Sequence, residues 1–388
     1  MEDDSYSNID LNLKSTEPKK KAKKRHMLQK PGEVAKPEGK QAKHKKEDDG
    51  LSSIQLFKEI PQKIPFMGRP REHTISVALP ASLVQNVQSE ELRAYVIGNI
   101  ARTLTIYGIN EVVLYNDMGN EGTKWQDHFA LNLRYLETPQ YLRRYLYPMN
   151  YALKYAGLQN PLDAPHHLRS NEWLPYREGV IKLIPKSQCG KHNKFFAECG
   201  LFRNVEIKNI SALSSIYGVD HVTDDGDEEI YQRVTIRLDG SSLTQCKQYW
   251  KNNKLGSTDS GNYSLSGYIV SPEEPLQRAG LYWGYTVREA DSFEQVLVEC
   301  PFNDSGEYDY KIGTSERGEL FGPNTKLPKY KNLLVVFGPV NGLEHIMENP
   351  SDKFDKYYNF CLHQKSRTIR TEEALSISLA IMNFVSPY

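Results

Sequence analysis

The run LLVVF at Leu333–Phe337 contains five apolar residues in succession. A strand with one covered face alternates apolar and polar residues, so an uninterrupted run is typical of a parallel strand that is covered on both faces. The segment Gly338–Glu344 follows directly and is predicted to be a tight turn into a helix. This order restricts the C-terminal part to an α/β sheet, in which ligands bind beyond the carboxyl ends of the strands.

A second strand–turn–helix unit ends the chain. Tyr357–Cys361 is a short apolar run that predicts a buried strand. Thr371 is predicted to cap the next helix, and two glutamates after it place negative charge near the positive end of the helix dipole. The rest of this helix is apolar on nearly every side, which predicts deep burial. Packing gives no reason for Arg367 and Arg370 in the polar loop before it, so these arginines indicate a site.

The turn at Gly338–Glu344 carries no common nucleotide-binding signature. It lacks the Gly-Lys-Ser/Thr of a Walker loop, and it does not match the G-x-G-x-x-G dinucleotide pattern. Its glycines still let backbone amides approach a ligand closely.

The segments FGPVNGLE and NFCLHQKSRTIRTEEALSISLA resemble the last two motifs of the SPOUT (α/β-knot) RNA methyltransferases. Within that superfamily, the chain is most similar to the centromere protein 32 family. The resemblance extends to Gly284–Arg288, Gly313–Gly318 and Thr74–Asn116, and so spans most of the chain after about residue 70. It implies an α/β fold with a trefoil-knotted, mostly parallel sheet, S-adenosylmethionine bound by the knot loops, and a homodimer partner that completes the site.

The resemblance also implies roles for particular residues. Arg317 is the implied catalytic residue, which either grips the cofactor carboxylate or stabilises charge on the base. A surface ion pair is the alternative. Arg367 and Arg370 are implied to contact RNA phosphate. The implied cofactor-binding residues are Arg317, Gly338, Gly342, Glu344, Asn359, Phe360, Cys361, Leu362, Ser366 and Thr368.

The last motif departs from the family pattern. Where that pattern reads NTCPGQGSRT, this chain has Leu362, His363 and Lys365 in place of a proline and two glycines. Glycines in such a loop serve positive φ angles or close ligand approach, so we expect these side chains to strain the loop or crowd the cofactor. Two functions therefore remain open: methylation of an RNA base, with uridine N3 of ribosomal RNA as one hypothesis, and a knotted RNA-binding or assembly protein without turnover.

The overall charge conceals an asymmetry. The 388 residues include 49 basic and 49 acidic side chains, but lysines are concentrated in Lys19–Arg25 and again between Lys40 and Lys46. With few large apolar residues, residues 1–60 are predicted to be disordered. Such a segment is typical of a nuclear or nucleolar localisation signal or a tail that contacts phosphate backbones. A merely solubilising tail is the alternative. The resembled family adds the mitotic spindle or kinetochore as a further location.

No apolar run approaches the length of about 20 residues that crosses a bilayer. Five cysteines without a framework spacing predict reduced thiols inside the cell, and no signal-peptide core precedes them. Cys189, His192 and Cys199 have loosely metal-like spacing, but a structural zinc site needs four ligands, so no metal site is predicted.

The first folded segment is predicted to be a βαβ unit. A strand at Ile75–Leu79, a helix that starts near Ser89 and ends before Gly108, and a strand at Glu111–Tyr115 form a βαβ unit. This unit begins a discontinuous methyltransferase domain, predicted over 70–158 and 255–388.

Short β-like runs divided by turn residues predict an inserted small barrel over 160–250, and the resembled family has an OB-like domain there. Lys191, Lys194, Phe195 and Phe196 combine basic and aromatic groups and predict contact with single-stranded nucleic acid. Core packing of the two phenylalanines is the alternative.

Overall fold

The computed structural model describes residues 64–65, 70–185, 187, 193–223, 229–254 and 262–386. The predicted disordered tail lies outside the described residues. The strands are β1 (Thr74–Pro80), β2 (Glu111–Tyr115), β3 (Tyr176–Lys182), β4 (Ile184–Pro185), β5 (Phe196–Glu198), β6 (Val205–Ile207), β7 (Val222–Thr223), β8 (Tyr231–Leu238), β9 (Leu265–Val270), β10 (Thr286–Ala290), β11 (Tyr310–Leu320), β12 (Asn332–Val336) and β13 (Lys356–Asn359). The helices are α1 (Ser82–Gln85), α2 (Glu90–Ile106), α3 (Thr123–Glu137), α4 (Gln140–Leu146), α5 (Ala212–Tyr217), α6 (Gly240–Lys254), α7 (Glu274–Ala279), α8 (Phe293–Val298) and α9 (Thr371–Val385).

Six strands form a parallel sheet in the order β10-β2-β1-β12-β11-β13. Along β12, Leu333 and Val335 face a core that includes residues of α2, α3 and α9, whereas Leu334 and Val336 face a second core that includes a residue of α8. The uninterrupted apolar run therefore has cover on both faces, as predicted.

The first βαβ unit has the predicted elements. Ser89 precedes α2, and its Oγ accepts a hydrogen bond from the amide of Leu92 at 3.2 Å, which caps the helix. Gly108 follows the end of α2 with a φ of +64°, a conformation that suits glycine. Leu92 is 53% exposed because it lies in the first turn, on the outer face of α2.

The insertion is a closed five-stranded barrel, β3-β5-β6-β9-β8. β6 and β9 are parallel, and the other pairs are antiparallel. β9 lies beyond the predicted end of the inserted domain at residue 250, in the segment that sequence assigned to the methyltransferase part. The reason is closure, because β9 pairs with both β6 and β8.

The C-terminal helix α9 differs from its prediction in two respects. Only Thr371, Leu375, Ser378, Leu379 and Met382 are buried, while Phe384 is 91% exposed, so one face packs on the sheet. The capping position is taken by Arg370, whose backbone is extended and whose amide donates to Glu373 Oε2 at 3.0 Å.

The helices of the described segments include none long and apolar enough to cross a membrane. Cys199, Cys246, Cys300 and Cys361 are free thiols.

Candidate functional site

A cavity of about 210 Å³ opens beyond the carboxyl ends of β12 and β13. Four segments wall it: 314–317 on β11, the turn 337–344 after β12, residues 358–361 at the end of β13, and residues 368–378 around the start of α9. This is the edge at which parallel α/β sheets bind ligands.

Eight of the ten cofactor-binding residues predicted from sequence line this one cavity. Leu362 and Ser366 do not, because the loop turns outward and leaves both side chains exposed. The eight are Arg317, Gly338, Gly342, Glu344, Asn359, Phe360, Cys361 and Thr368.

The turn after β12 is built on two glycines. A Cβ at Gly338 would lie 2.6 Å from the backbone nitrogen of Leu343 and 2.9 Å from the carbonyl carbon of Gly342, so no side chain fits there. Gly342 has a φ of +82°, which favours glycine. Thr371 Oγ1 donates to the Gly338 carbonyl at 3.1 Å and thereby ties the start of α9 to this turn.

The segment Gly313–Gly318 is part of the long strand β11. The register against β13 shifts between Thr314 and Glu319, so residues 315–318 bulge out of the ladder toward the cavity. Gly318 allows this bulge because a Cβ there would lie 2.6 Å from the carbonyl carbon of Tyr358. A bulge carries the Arg317 backbone to the cavity wall without ending the strand.

A polar cluster joins the bulge to the turn. Ser315 Oγ donates to Glu344 Oε1 at 2.6 Å and accepts from the Arg317 amide at 3.1 Å. Burial alone would raise the pKa of Glu344, but hydrogen bonds from Ser315 and from its own backbone amide, with a smaller contribution from the Arg317 charge, outweigh it and lower that pKa, so the carboxylate stays ionised. Burial raises the pKa of the neighbouring Tyr357 to about 12.

Asn359 holds the loop after β13. Its Nδ2 donates to the carbonyl of Glu316 at 2.8 Å, and its Oδ1 accepts from the amide of Cys361 at 2.9 Å. Because β13 ends at Asn359, Cys361 is a half-buried residue of this loop and not part of the predicted strand.

The three residues that depart from the family pattern lie outside the cavity. Leu362, His363 and Lys365 are all exposed, so these side chains do not fill the cavity as the sequence led us to expect. The expected strain does occur at one of them: His363 has a φ of +61°, in the left-handed region that favours glycine. The crowding of the cavity that favoured a protein without turnover is therefore absent, and only the strain at His363 remains.

Replacing His363 with glycine should stabilise the protein by about 1 kcal/mol, because relief of the left-handed strain exceeds the added chain entropy. Thermal unfolding measures this change. Lys365→Gly is the matched control, since Lys365 has no positive φ and its replacement should be neutral or destabilising. Equal effects of the two changes would show that strain at His363 is not the cause.

The predicted RNA-binding residues are dispersed. Arg367 and Arg370 are exposed on the loop before α9, and Arg370 lies only 3.9 Å from Glu372. On the barrel, Lys194 pairs with Glu206 at 2.9 Å, and Lys191 lies outside the described residues. Phe195 belongs to the barrel core and Phe196 is exposed, so the core alternative holds for one of the two phenylalanines.

Several residues of the cavity wall were not foreseen. Ser315 and Glu316 lie inside a recognised motif, and Ala374, Ile377 and Ser378 lie on α9. The sequence did contain a signal for the residues on α9. They are small or apolar and follow Thr371 at intervals of three to four residues, so they share one face of the helix with it.

A metal centre has no support within the described segments, which contain no group of three or more His, Cys, Asp or Glu side chains suited to a metal. Cys189 and His192 lie outside those segments. Cys199 is buried, and burial raises the pKa of its thiol.

Comparison with known proteins defines the class. The model of the family described as "Putative RNA methyltransferase" matches residues 74–382, which include the sheet, the barrel and the cavity. The chain belongs to this family and is an RNA methyltransferase.

Curated relatives cover most of the chain. A mouse protein named "28S rRNA (uridine-N(3))-methyltransferase" is 39% identical over 336 residues, which is 81% of this chain and 77% of the relative. The human protein of the same name is 38% identical, covering 81% and 79%. The Drosophila melanogaster protein of that name is 35% identical over 377 residues, covering 88% and 69%.

Proposed function

We propose that this enzyme transfers a methyl group from S-adenosylmethionine to N3 of a uridine in large-subunit ribosomal RNA. The convergence of eight predicted residues from three separate motifs on one cavity carries this proposal. The names of the mouse, human and fly relatives support the choice of uridine N3 and of ribosomal RNA.

The cavity suits the proposed cofactor in its chemistry. Backbone turns at Gly338–Gly342 and after Asn359 offer amides and carbonyls to the polar atoms of an adenosyl group, and Ile377 and Phe360 offer apolar surface to its ring. Arg317 offers a cation for a carboxylate. When bound, S-adenosylmethionine supplies an activated methyl group, so the protein needs mainly to align the target and exclude water.

Arg317 has a second role available at the substrate. Uridine N3 carries a proton in the neutral base, and release of that proton to water before the methyl group is transferred leaves negative charge on the ring. A guanidinium beside the cavity stabilises this charge as it develops. The hydrogen-bonded cluster of Ser315 and Glu344 holds the bulge that carries Arg317.

RNA approaches the cavity from its exposed rim. Arg367, Arg370 and Lys365 are exposed cations on one loop next to the cavity, where they suit phosphate contacts. The barrel, with the parallel β6–β9 pair and antiparallel neighbours, is proposed to be OB-like. Its exposed Phe196, near Lys194, offers a stacking surface for a base.

Two features of the proposed assembly follow from the family resemblance. The loops around the cavity are proposed to form a trefoil knot. A second copy of the chain is proposed to cover apolar side chains that remain exposed near the cavity and on α9. These are Leu320, Val340, Leu362 and Phe384, and their exposed fractions are 54%, 51%, 47% and 91%. Large exposed apolar groups on neighbouring segments are typical of an interface.

The proposed location is the nucleolus, where ribosomal RNA is modified. The predicted lysine-rich tail suits that location. The names of the relatives refer to ribosomal RNA and not to the spindle or kinetochore.

Incubation of the purified protein with methyl-labelled cofactor and a large-subunit rRNA transcript tests the proposal. We expect label in N3-methyluridine after nuclease digestion, at a uridine that loses its mark when the protein is depleted from cells. Label found only on a ribose hydroxyl or on protein would refute the proposed chemistry.

A further inference from the structure

We propose that Arg233, on barrel strand β8, is a positioning residue that fixes the orientation of the barrel on the sheet. In this role it directs RNA bound by the barrel to the methyl-transfer cavity. The inference rests on the proposed function, in which the barrel contacts RNA.

Arg233 lies where the chain passes between sheet and barrel. Residues 162–175 lead into the barrel and residues 271–285 lead out of it. Both linkers reach the same point: His166 Nε2 on the first lies 3.0 Å from Glu137 Oε1, and Trp283 Nε1 on the second donates to Glu178 Oε1 at 2.7 Å. Glu137 ends α3 beside the sheet, and Glu178 belongs to barrel strand β3.

The Arg233 guanidinium bridges these two carboxylates. It donates to Glu137 through Nη1 at 2.5 Å and Nη2 at 3.0 Å, and to Glu178 through Nε at 2.6 Å. Thr235 Oγ1 completes the cluster with a bond of 2.6 Å to Glu178. A planar guanidinium with a bidentate partner constrains angle as well as distance, so the cluster sets how the barrel lies against α3.

Glu137 and Arg233 remain ionised at this junction. The side chains of Glu137 and Glu178 are 8% and 3% exposed. Burial alone would raise the pKa of Glu137, but the Arg233 charge and the His166 hydrogen bond hold it well below its usual range. The two carboxylates in turn raise the pKa of Arg233, against the lowering effect of burial. No proton loss near neutral pH releases the bridge.

The bridge is one of several contacts that join the two parts here, since Tyr141 Oη on α4 also donates to the Glu178 carbonyl at 2.8 Å. A cleft of about 730 Å³ lies beside Glu137, Glu178 and Arg233, so apolar packing does not fill this part of the junction. Gly284 lines the same cleft and lies against the bridge: it has a φ of +90° and no room for a Cβ, which would lie 2.3 Å from Glu137 Oε1. A change in the bridge therefore alters the angle between barrel and sheet.

Arg233 acts at a distance from the cofactor cavity. Its cleft is also lined by Thr74 and Asn332, at the amino ends of β1 and β12, whereas the cavity lies beyond the carboxyl end of β12. The five residues of β12 separate the two edges by about 17 Å, at ~3.3 Å per strand residue. Loss of the bridge should leave the cofactor site intact.

The test compares full-length wild type with Arg233→Lys and Glu137→Gln. Genetically encoded spin labels at Ser215 on the barrel and Glu121 on the sheet part report the distance between them by pulsed EPR. We expect one narrow distance distribution in wild type and a broadened one in both variants. The rate of methyl transfer to rRNA at saturating RNA should fall about tenfold, with S-adenosylmethionine affinity changed less than about twofold. Lys182→Met, which removes an exposed pair with Glu229, is the control and should change neither.

An unchanged distance distribution in a folded variant would overturn the proposal. So would an equal loss of cofactor affinity, or unfolding of both variants, because either would make the cluster a general element of stability. Failure of wild type to methylate rRNA would instead refute the proposed function, and the distance measurement would remain valid.

Discussion

Replacing Arg317 with alanine is expected to lower the rate of methyl transfer about 100- to 1,000-fold, the usual effect of removing one group that stabilises developing charge. The side chain is exposed and its backbone amide keeps the hydrogen bond to Ser315, so the fold should persist. Single-turnover rates with labelled cofactor and rRNA measure the loss.

Two further variants interpret that result. Arg317→Lys keeps the charge but not the planar fork, and should recover part of the rate. Arg278→Ala removes an exposed arginine that pairs with Glu274 on the same helix, α7. Because α7 does not line the cavity, this change should leave the rate unchanged. If the Arg317→Ala enzyme were as fast as wild type, Arg317 would have no catalytic role and would be only a charged surface residue.

Replacing Gly338 with alanine is expected to lower cofactor affinity about 100-fold. The added Cβ would meet two backbone atoms of the same turn, which cannot rotate away, so the turn must shift. A displacement of about 1 Å in an active site can cost about two orders of magnitude in rate, and we expect a loss of similar size in cofactor affinity. Overpacking should also destabilise the fold by about 1–3 kcal/mol. Calorimetric titration and thermal unfolding measure the two effects.

Gly322→Ala is the matched control for this change. The nearest atom to a Cβ at Gly322 is 4.0 Å away, and its φ is not positive, so alanine fits without strain. Equal losses in both variants would mean that the close packing at Gly338 does not shape the site.

The sheet was predictable from sequence because its signals are local. The apolar run at Leu333–Phe337 required cover on both faces, and Ser89 and Gly108 marked the ends of α2. The turn residues at Gly338 and Gly342 were also recognisable, because glycine alone suits a crowded or left-handed backbone.

Features that depend on distant pairing were not predictable. Leu265–Val270 joins the barrel because β6 and β8 leave a gap for it, which only the assembled barrel reveals. The bulge in β11 depends on its register against β13. The apolar composition of α9 suggested burial on every side, whereas Phe384 is exposed.

The residues of the candidate site were predictable where a recognised motif directly follows the end of a strand. Leu362 and Ser366 were predicted to bind the cofactor together with the other residues of their loop. The sequence does not reveal that this loop turns outward and directs both side chains away from the cavity. Ser315 was missed as a partner of Glu344 because the two lie on different strand–turn units.

Calorimetric titration of S-adenosylmethionine into the purified full-length protein tests most directly whether the cavity is a methyl-donor site. We expect saturable heat with a dissociation constant between about 1 µM and 1 mM, in the range usual for enzyme substrates. The heat should weaken strongly in Gly338→Ala and remain unchanged in Gly322→Ala. Absence of heat at millimolar cofactor, with the protein folded and RNA binding intact, would contradict the account.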